Sequence, residues 1–282
     1  MNETEFDRLF TRLNELIDRI DLLLPVKRNS ETDTSYHAYR WSHDKLEGIS
    51  NFDQVEKTTL LHIERQKKLL TINTTQFLNG KPANNALLWG ARGTGKSSLI
   101  KAQLTEFLKQ GLCIVEVPKS ETSHLFEIIR TISSDGRKFI IYLDDLSFES
   151  SDNSYKALKA CLEGSLQAQP DNLLIYATSN RRHLMPETMK DNLDSTMAEG
   201  QLHPSDGIEE KVSLSDRFGL WLSFHPFTQD QYLDVVEQTL RARKLEMAEE
   251  ARIEALRYAT ARGSRSGRIA FQFAAYWMSL KN

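Results

Sequence analysis

The sequence predicts an α/β fold: an open parallel sheet with helices on its faces and a small helical domain after it. Three observations carry this. Apolar runs of strand length alternate with helix-like stretches between residues 86 and 224, the pattern of successive βα units. A glycine-rich loop, Gly90-Ala91-Arg92-Gly93-Thr94-Gly95-Lys96-Ser97, joins one apolar run to the helix that follows. A later apolar run, Phe139-Ile140-Ile141-Tyr142-Leu143, ends in Asp144-Asp145.

Taken in order, the chain begins with an amphipathic segment. Phe6, Leu9, Phe10, Leu13, Leu16, Ile17, Ile20, Leu23 and Leu24 recur at helical spacing, and Pro25 stops the pattern. This helix either packs on its own domain or docks onto a partner. Residues 26–52 are polar and mixed, and read as a linker. Residues 53–78 give one or two helices. Ala86-Leu87-Leu88-Trp89 is a buried strand, and Ser98 to Leu104 continue as a helix. Strands follow at 112–117, 139–143, 173–177 and 220–224, with helices at 123–132 and 155–166 between them. The continuous apolar character of the middle strands fits a sheet covered on both faces. After Pro226 the strands cease, and 228–244, 247–261 and 268–280 read as three helices. The expected organisation is an N-terminal helix and linker over 1–52, an α/β domain over 53–226 and a helical domain over 227–282. The polar stretch at 187–212 is an expected surface insertion.

The 282 residues suffice for such a core, and a net charge of −3 argues against a chain coated in nucleic acid, although a local basic groove stays compatible. The two cysteines, Cys113 in a strand and Cys161 in a helix, read as reduced core residues. No basic stretch precedes an apolar block at the N-terminus, and no apolar run is long enough to span a bilayer. A cytoplasmic protein is expected.

The glycine-rich loop is a Walker A sequence in its proper strand–loop–helix setting. Glycines let successive backbone N–H groups turn inward as an anion nest, and the helix N-terminus adds positive potential. Gly90, Ala91, Arg92, Gly93, Thr94, Gly95, Lys96, Ser97 and Ser98 are the expected nucleotide-binding residues. Lys96 would reach the outer phosphates, and the Ser97 hydroxyl would ligate Mg²⁺. The run ending in Asp144-Asp145 is a Walker B sequence, with Asp144 as the second Mg²⁺ residue. Asp145 is the candidate general base, one methylene shorter than the Glu often found there, and Glu149 is a second candidate. Asn180, in Thr178-Ser179-Asn180-Arg181-Arg182-His183, can touch the outer phosphate and aim water, or the segment can simply cap a helix. Arg217, within Ser-Leu-Ser-Asp-Arg-Phe-Gly, reads as an arginine finger for a neighbouring subunit or as a structural Asp–Arg turn. Arg265 and Arg268, in Gly-Ser-Arg-Ser-Gly-Arg, can sense phosphates from the helical domain or remain solvated.

Four motifs in this order resemble the AAA+ ATPases from about residue 40 to the C-terminus. The strings ANNALLWGARGTGKSS, LDDLSFES, ATSNRRHL, SLSDRFGLWLSF and RGSRSGRIAFQF are similar to a bacterial AAA+ family known only as a domain of unknown function. The Ser-Asp-Arg-Phe box is also similar to the arginine-finger boxes of replication initiators and helicase loaders. The resemblance implies ATP and Mg²⁺. It further implies a five-stranded parallel sheet in which the Walker A and Walker B strands flank the Asn180 strand, a helical lid carrying Arg268, and a homo-oligomer with ATP at its interfaces.

The leading expectation is therefore an ATP-hydrolysing switch or remodeller acting on a macromolecular client, protein or nucleic acid. A nucleotide-gated loader with little turnover is the second reading, motivated by Asp145. A P-loop small-molecule kinase is the third, and the Arg217 box and the Arg268 tail count against it. Val117-Pro118-Lys119-Ser120-Glu121 lacks the aromatic residue that polypeptide-threading relatives present after this strand. Lys119 there could contact a phosphate backbone, but a lone Lys is normally just solvated.

Overall fold

The computed structural model describes residues 33–148, 153–163, 170–181, 184, 196–198, 201–203 and 214–281. The N-terminal amphipathic segment and most of the 187–212 stretch lie outside them.

The strands are β1 (Ala38–Ser42), β2 (Lys45–Gly48), β3 (Ala86–Gly90), β4 (Leu112–Val117), β5 (Lys138–Leu143), β6 (Leu173–Ser179), β7 (Thr196–Ala198), β8 (Gln201–His203) and β9 (Leu220–Phe224). The helices are α1 (Glu64–Leu78), α2 (Lys96–Phe107), α3 (Leu125–Ser133), α4 (Asn153–Glu163), α5 (Gln229–Arg241), α6 (Glu249–Ala261) and α7 (Gly267–Lys281). A seven-stranded sheet runs in the order β2-β1-β4-β5-β6-β3-β9, and β7-β8 form a separate hairpin. The five strands expected from sequence are contiguous and parallel in it, with β6 between β3 and β5.

The extra two strands correct the reading of 26–52 as a linker. β1 pairs in parallel with β4, Ala38 opposite Ile114, and turns back antiparallel into β2. Tyr39 and Trp41 from β1 are almost fully buried. The turn residues His43 and Asp44 both have positive φ, 49° and 57°. Two-residue hairpin turns with two positive φ values favour Asn-Gly or Asp-Gly, so a His-Asp pair carries no such signal. The α/β region thus starts before residue 53.

Neighbouring residues on each central strand feed opposite cores. Leu87, Val115, Ile141 and Ile175 join one apolar cluster, whereas Leu88, Ile114, Ile140 and Leu174 join the other. This is the physical reason for the continuous apolar runs. Cys113 and Cys161 are buried free thiols, and burial pushes their pKa values up to about 11 and about 12. The C-terminal helices have a core of their own around Tyr232, Val236, Ala255, Phe273 and Trp277. Thr228 starts α5 with a capping box: its hydroxyl accepts from Gln231 N at 3.2 Å, and Gln231 Oε1 accepts from Thr228 N at 3.0 Å.

Candidate nucleotide site

The candidate site lies at the C-terminal ends of β3, β5 and β6, where open α/β sheets place ligands. Gly90 closes β3 with φ of 131°, and a Cβ there would lie 1.9 Å from the Phe224 carbonyl oxygen. Only glycine fits, because Ala91 N donates to that same oxygen at 2.9 Å and ties the loop to β9. Gly93 and Gly95 also have positive φ, 73° and 99°, which lets the chain curl back before α2 begins at Lys96. Thr94 Oγ1 donates to Ala91 O across the loop at 2.7 Å.

Lys96 is buried, with only 6% of its surface exposed. Its Nζ donates to Gly90 O and Ala91 O, both at 2.8 Å, and to Asn180 Oδ1 at 3.2 Å. Burial pushes its pKa down to about 8; Asp145 and Asp144 oppose the shift, while Arg268 and Arg92 add to it. Ser97 Oγ and Thr178 Oγ1 both donate to Asp144 Oδ1, at 2.8 and 2.6 Å. Desolvation raises the Asp144 pKa, but the hydrogen bonds from Thr178 and Ser97 help to outweigh it and hold the carboxyl below its usual range.

Asp145 sits in the left-handed region with φ of 51°. Its N–H donates to Thr178 Oγ1 at 2.9 Å, and its Oδ1 accepts from Asn180 Nδ2. Asn180 therefore links the two charges, its amide oxygen on Lys96 and its amide nitrogen on Asp145. Ser179 is the local brace: its hydroxyl donates to Leu146 O at 2.8 Å and accepts from Arg181 N at 3.1 Å.

A cavity of about 650 Å³ opens above these groups. The loop residues 92–98, Asp144, Asp145, Thr178 and Asn180 form its polar floor. Leu60, Leu61, Ile63, Phe227, Val235 and Phe271 add an apolar wall. Such a divided lining suits a ligand with a flat apolar end and an anionic tail. The start of α7 touches the loop directly: Arg268 N donates to Gly93 O at 3.3 Å, and Ser266 Oγ lies 2.8 Å from where a Gly93 Cβ would stand. The segment before α1 is fastened to the lid as well, through His62 Nε2 and Asp234 Oδ2 at 2.7 Å.

The expected site residues divide as follows. The loop residues, Lys96, Ser97, Asp144, Asp145, Asn180 and Arg268 come together. Arg217 stands apart from the cavity wall and pairs with Glu163, Nη2 to Oε1 at 2.8 Å. Arg265 is also off the wall, and its carbonyl accepts from Phe227 N at 3.1 Å. Glu149, Arg182 and His183 lie outside the described residues. Sequence reasoning missed the apolar wall, whose residues come from separate segments; of them Phe271 stood inside a quoted string. Thr178 stood inside a quoted motif, and its bonds to both site aspartates were the missed signal.

The sequence matches, over residues 34–281, the family described as "Protein of unknown function (DUF815)". No curated protein matches it. Among solved structures, a RuvB mutant from Thermotoga maritima is similar with a TM-score of 0.51 at 15% identity, covering 77% of this chain and 62% of that one. The Orc1 protein of Aeropyrum pernix in complex with DNA gives a TM-score of 0.51 at 17% identity, covering 77% and 61%. The chain thus spans about three fifths of the length of these structures.

Proposed function

The chain belongs to the DUF815 family and has the AAA+ fold, and from that premise we propose that it is an ATP-binding, ATP-hydrolysing switch that acts on a macromolecular client. The observation that carries the reading is the meeting of Lys96, Ser97, Asp144, Asp145 and Asn180 on the floor of one cavity that the C-terminal helices help to wall.

The residues fit a magnesium nucleotide. Three positive-φ glycines, with Gly90 and Gly93 so closely packed that a Cβ would clash, form a backbone cradle. Lys96 is a buried cation lodged among neutral carbonyls, a position that an anion would relieve. Ser97 and Asp144 present the oxygen ligands that Mg²⁺ prefers. When bound, the ion would supply charge neutralisation on the phosphates.

The loop amides and Lys96 would hold the phosphates, with Ser97 and Asp144 toward the metal. The apolar wall of Leu60, Leu61, Phe227 and Phe271 would take the base. Asp145 would accept the proton of the attacking water, and Asn180 would orient that water. Asn180 now occupies both Lys96 and Asp145, so turnover requires its amide to give up at least one of them. Arg268 would report the bound phosphates to the lid. Arg217 lies off its own chain's cavity, so its target would be the nucleotide of a neighbouring copy.

One observation favours a second reading, a loader that binds ATP with little turnover. The short Asp145 carboxylate is already held by Asn180. Steady-state phosphate release separates the two. Appreciable turnover that Arg217→Ala abolishes with ATP binding intact supports the switch. ATP binding with no turnover under any condition supports the loader. Mass in solution should rise with ATP and Mg²⁺ in the wild type and not in Lys96→Ala; a monomer throughout contradicts the shared-site arrangement.

A further inference from the structure

Arg217 leaves a helical turn that is anchored on both shoulders. Leu214 and Ser215 are fully buried and Phe218 is 2% exposed. Arg217 N donates to Leu214 O at 3.3 Å and Phe218 N to Ser215 O at 3.0 Å. Ser215 Oγ in turn accepts from Leu184 N at 3.4 Å. The backbone is thereby fixed, and the remaining freedom of this long side chain lies in its own torsions. Beyond the turn the Arg217 side chain is 38% exposed. Among the described residues its ion-pair partner is Glu163, which belongs to α4 and stands 54 positions earlier in the sequence. A guanidinium has five N–H donors in a rigid plane. The Nη2 contact engages one edge and leaves donors for another anion.

We propose that Glu163 is a positioning residue for Arg217: by holding one edge of the guanidinium it aims the other edge outward at the nucleotide of a neighbouring copy. The inference rests on reading Arg217 as a finger in trans. An exposed ion pair adds little to stability, so a purely structural role would leave little trace. An aiming role has a specific one, because small misplacements of a transition-state donor cost up to about a hundredfold in rate. Lys159 Nζ lies 3.9 Å from the same Oε1, one helical turn away, so the carboxylate is further oriented from its own helix.

The test uses the full chain and steady-state phosphate release. Arg217→Ala should lower kcat by about a thousandfold. Glu163→Ala should lower it by about ten- to a hundredfold with KM for ATP unchanged. Glu163→Asp should restore part of that loss, and Glu163→Gln keeps the shape if alanine perturbs folding. A mixing experiment then assigns the subunit. Lys96→Ala contributes a finger without a working site, and Arg217→Ala contributes a site without a finger, so their mixture should regain activity. Adding Glu163→Ala to the Lys96→Ala partner should lower the regained rate, whereas adding it to the Arg217→Ala partner should not. Equal loss from either partner, or a Glu163→Ala chain with wild-type kcat while Arg217→Ala is inactive, overturns the aiming role and leaves the finger standing. A wild type without turnover, or Arg217→Ala with wild-type rates, removes the finger and this inference with it.

Discussion

Lys96 should make nucleotide binding weaken with rising pH in a range, around pH 8, where an ordinary lysine site is still fully charged. Burial puts its pKa at about 8 in the free protein, against 10.5 for a solvated lysine. A bound polyphosphate stabilises the ammonium form and moves the pKa back up. Binding must therefore take up a proton whenever Lys96 starts deprotonated. The sign follows by linkage: affinity is full well below pH 8 and declines as pH rises through it. With a free-state pKa of about 8, some 90% of the unliganded chains have lost the proton at pH 9, so the dissociation constant rises by about tenfold between pH 7 and 9. Titration of a fluorescent ATP analogue at fixed Mg²⁺ across this range measures it. Calorimetry in buffers of different ionisation enthalpy gives the proton uptake directly. Lys96→Arg is the control, since a guanidinium stays charged throughout. A dissociation constant that is flat from pH 7 to 9 in the wild type, or an equal slope in Lys96→Arg, would refute the reasoning.

Three further outcomes are expected. Gly90→Ala forces a Cβ to within 1.9 Å of the Phe224 carbonyl at a φ of 131°, which should cost more than about 3 kcal/mol and lower the unfolding temperature by about 10 °C; a shift under about 2 °C contradicts the close approach. Tyr176→Phe removes a fully buried hydroxyl shared by Asn73 Nδ2 at 3.0 Å and Thr74 Oγ1 at 2.9 Å. Thermal unfolding should register a loss of about 1–3 kcal/mol, with nucleotide affinity unmoved. Asp145→Asn preserves size and a contact with Asn180 but removes the base; single-turnover hydrolysis should slow by about a hundredfold or more, with ATP affinity held within about twofold.

The parts legible from sequence were those whose physics is local. The phosphate loop follows from glycine spacing, and the three C-terminal helices from the end of strand-like runs after Pro226. The strands β3, β4, β5, β6 and β9 follow from apolar runs, continuous in the middle strands because both faces of the sheet are covered. Asp144 and Asp145 were legible because a strand end carries them to the same rim as the loop. The β1–β2 hairpin was hidden by its atypical His43-Asp44 turn, and because β1 gains its place only by pairing with β4, far along the chain. The apolar wall was hidden for a similar reason, since Leu60, Phe227 and Phe271 gain their roles only by converging. The Glu163–Arg217 pair joins two elements that no spacing rule connects.

The attachment of the lid to the phosphate loop has a mechanical consequence. α7 has 15 residues, and its second residue, Arg268, is hydrogen-bonded through its backbone to Gly93. A helix of that length is about 22 Å long, so a tilt of about 10° about the attached end sweeps the far end, near Leu280, through about 4 Å. The contact behaves as the fulcrum of a lever whose short arm is the loop. A change in the direction of α7 at Gly93 that leaves the sheet where it is would thus be felt as several ångströms at the outer rim of the helix. That rim carries the exposed side chains of Tyr276 and Leu280, so a partner seated there would move with any tilt about the Gly93 contact.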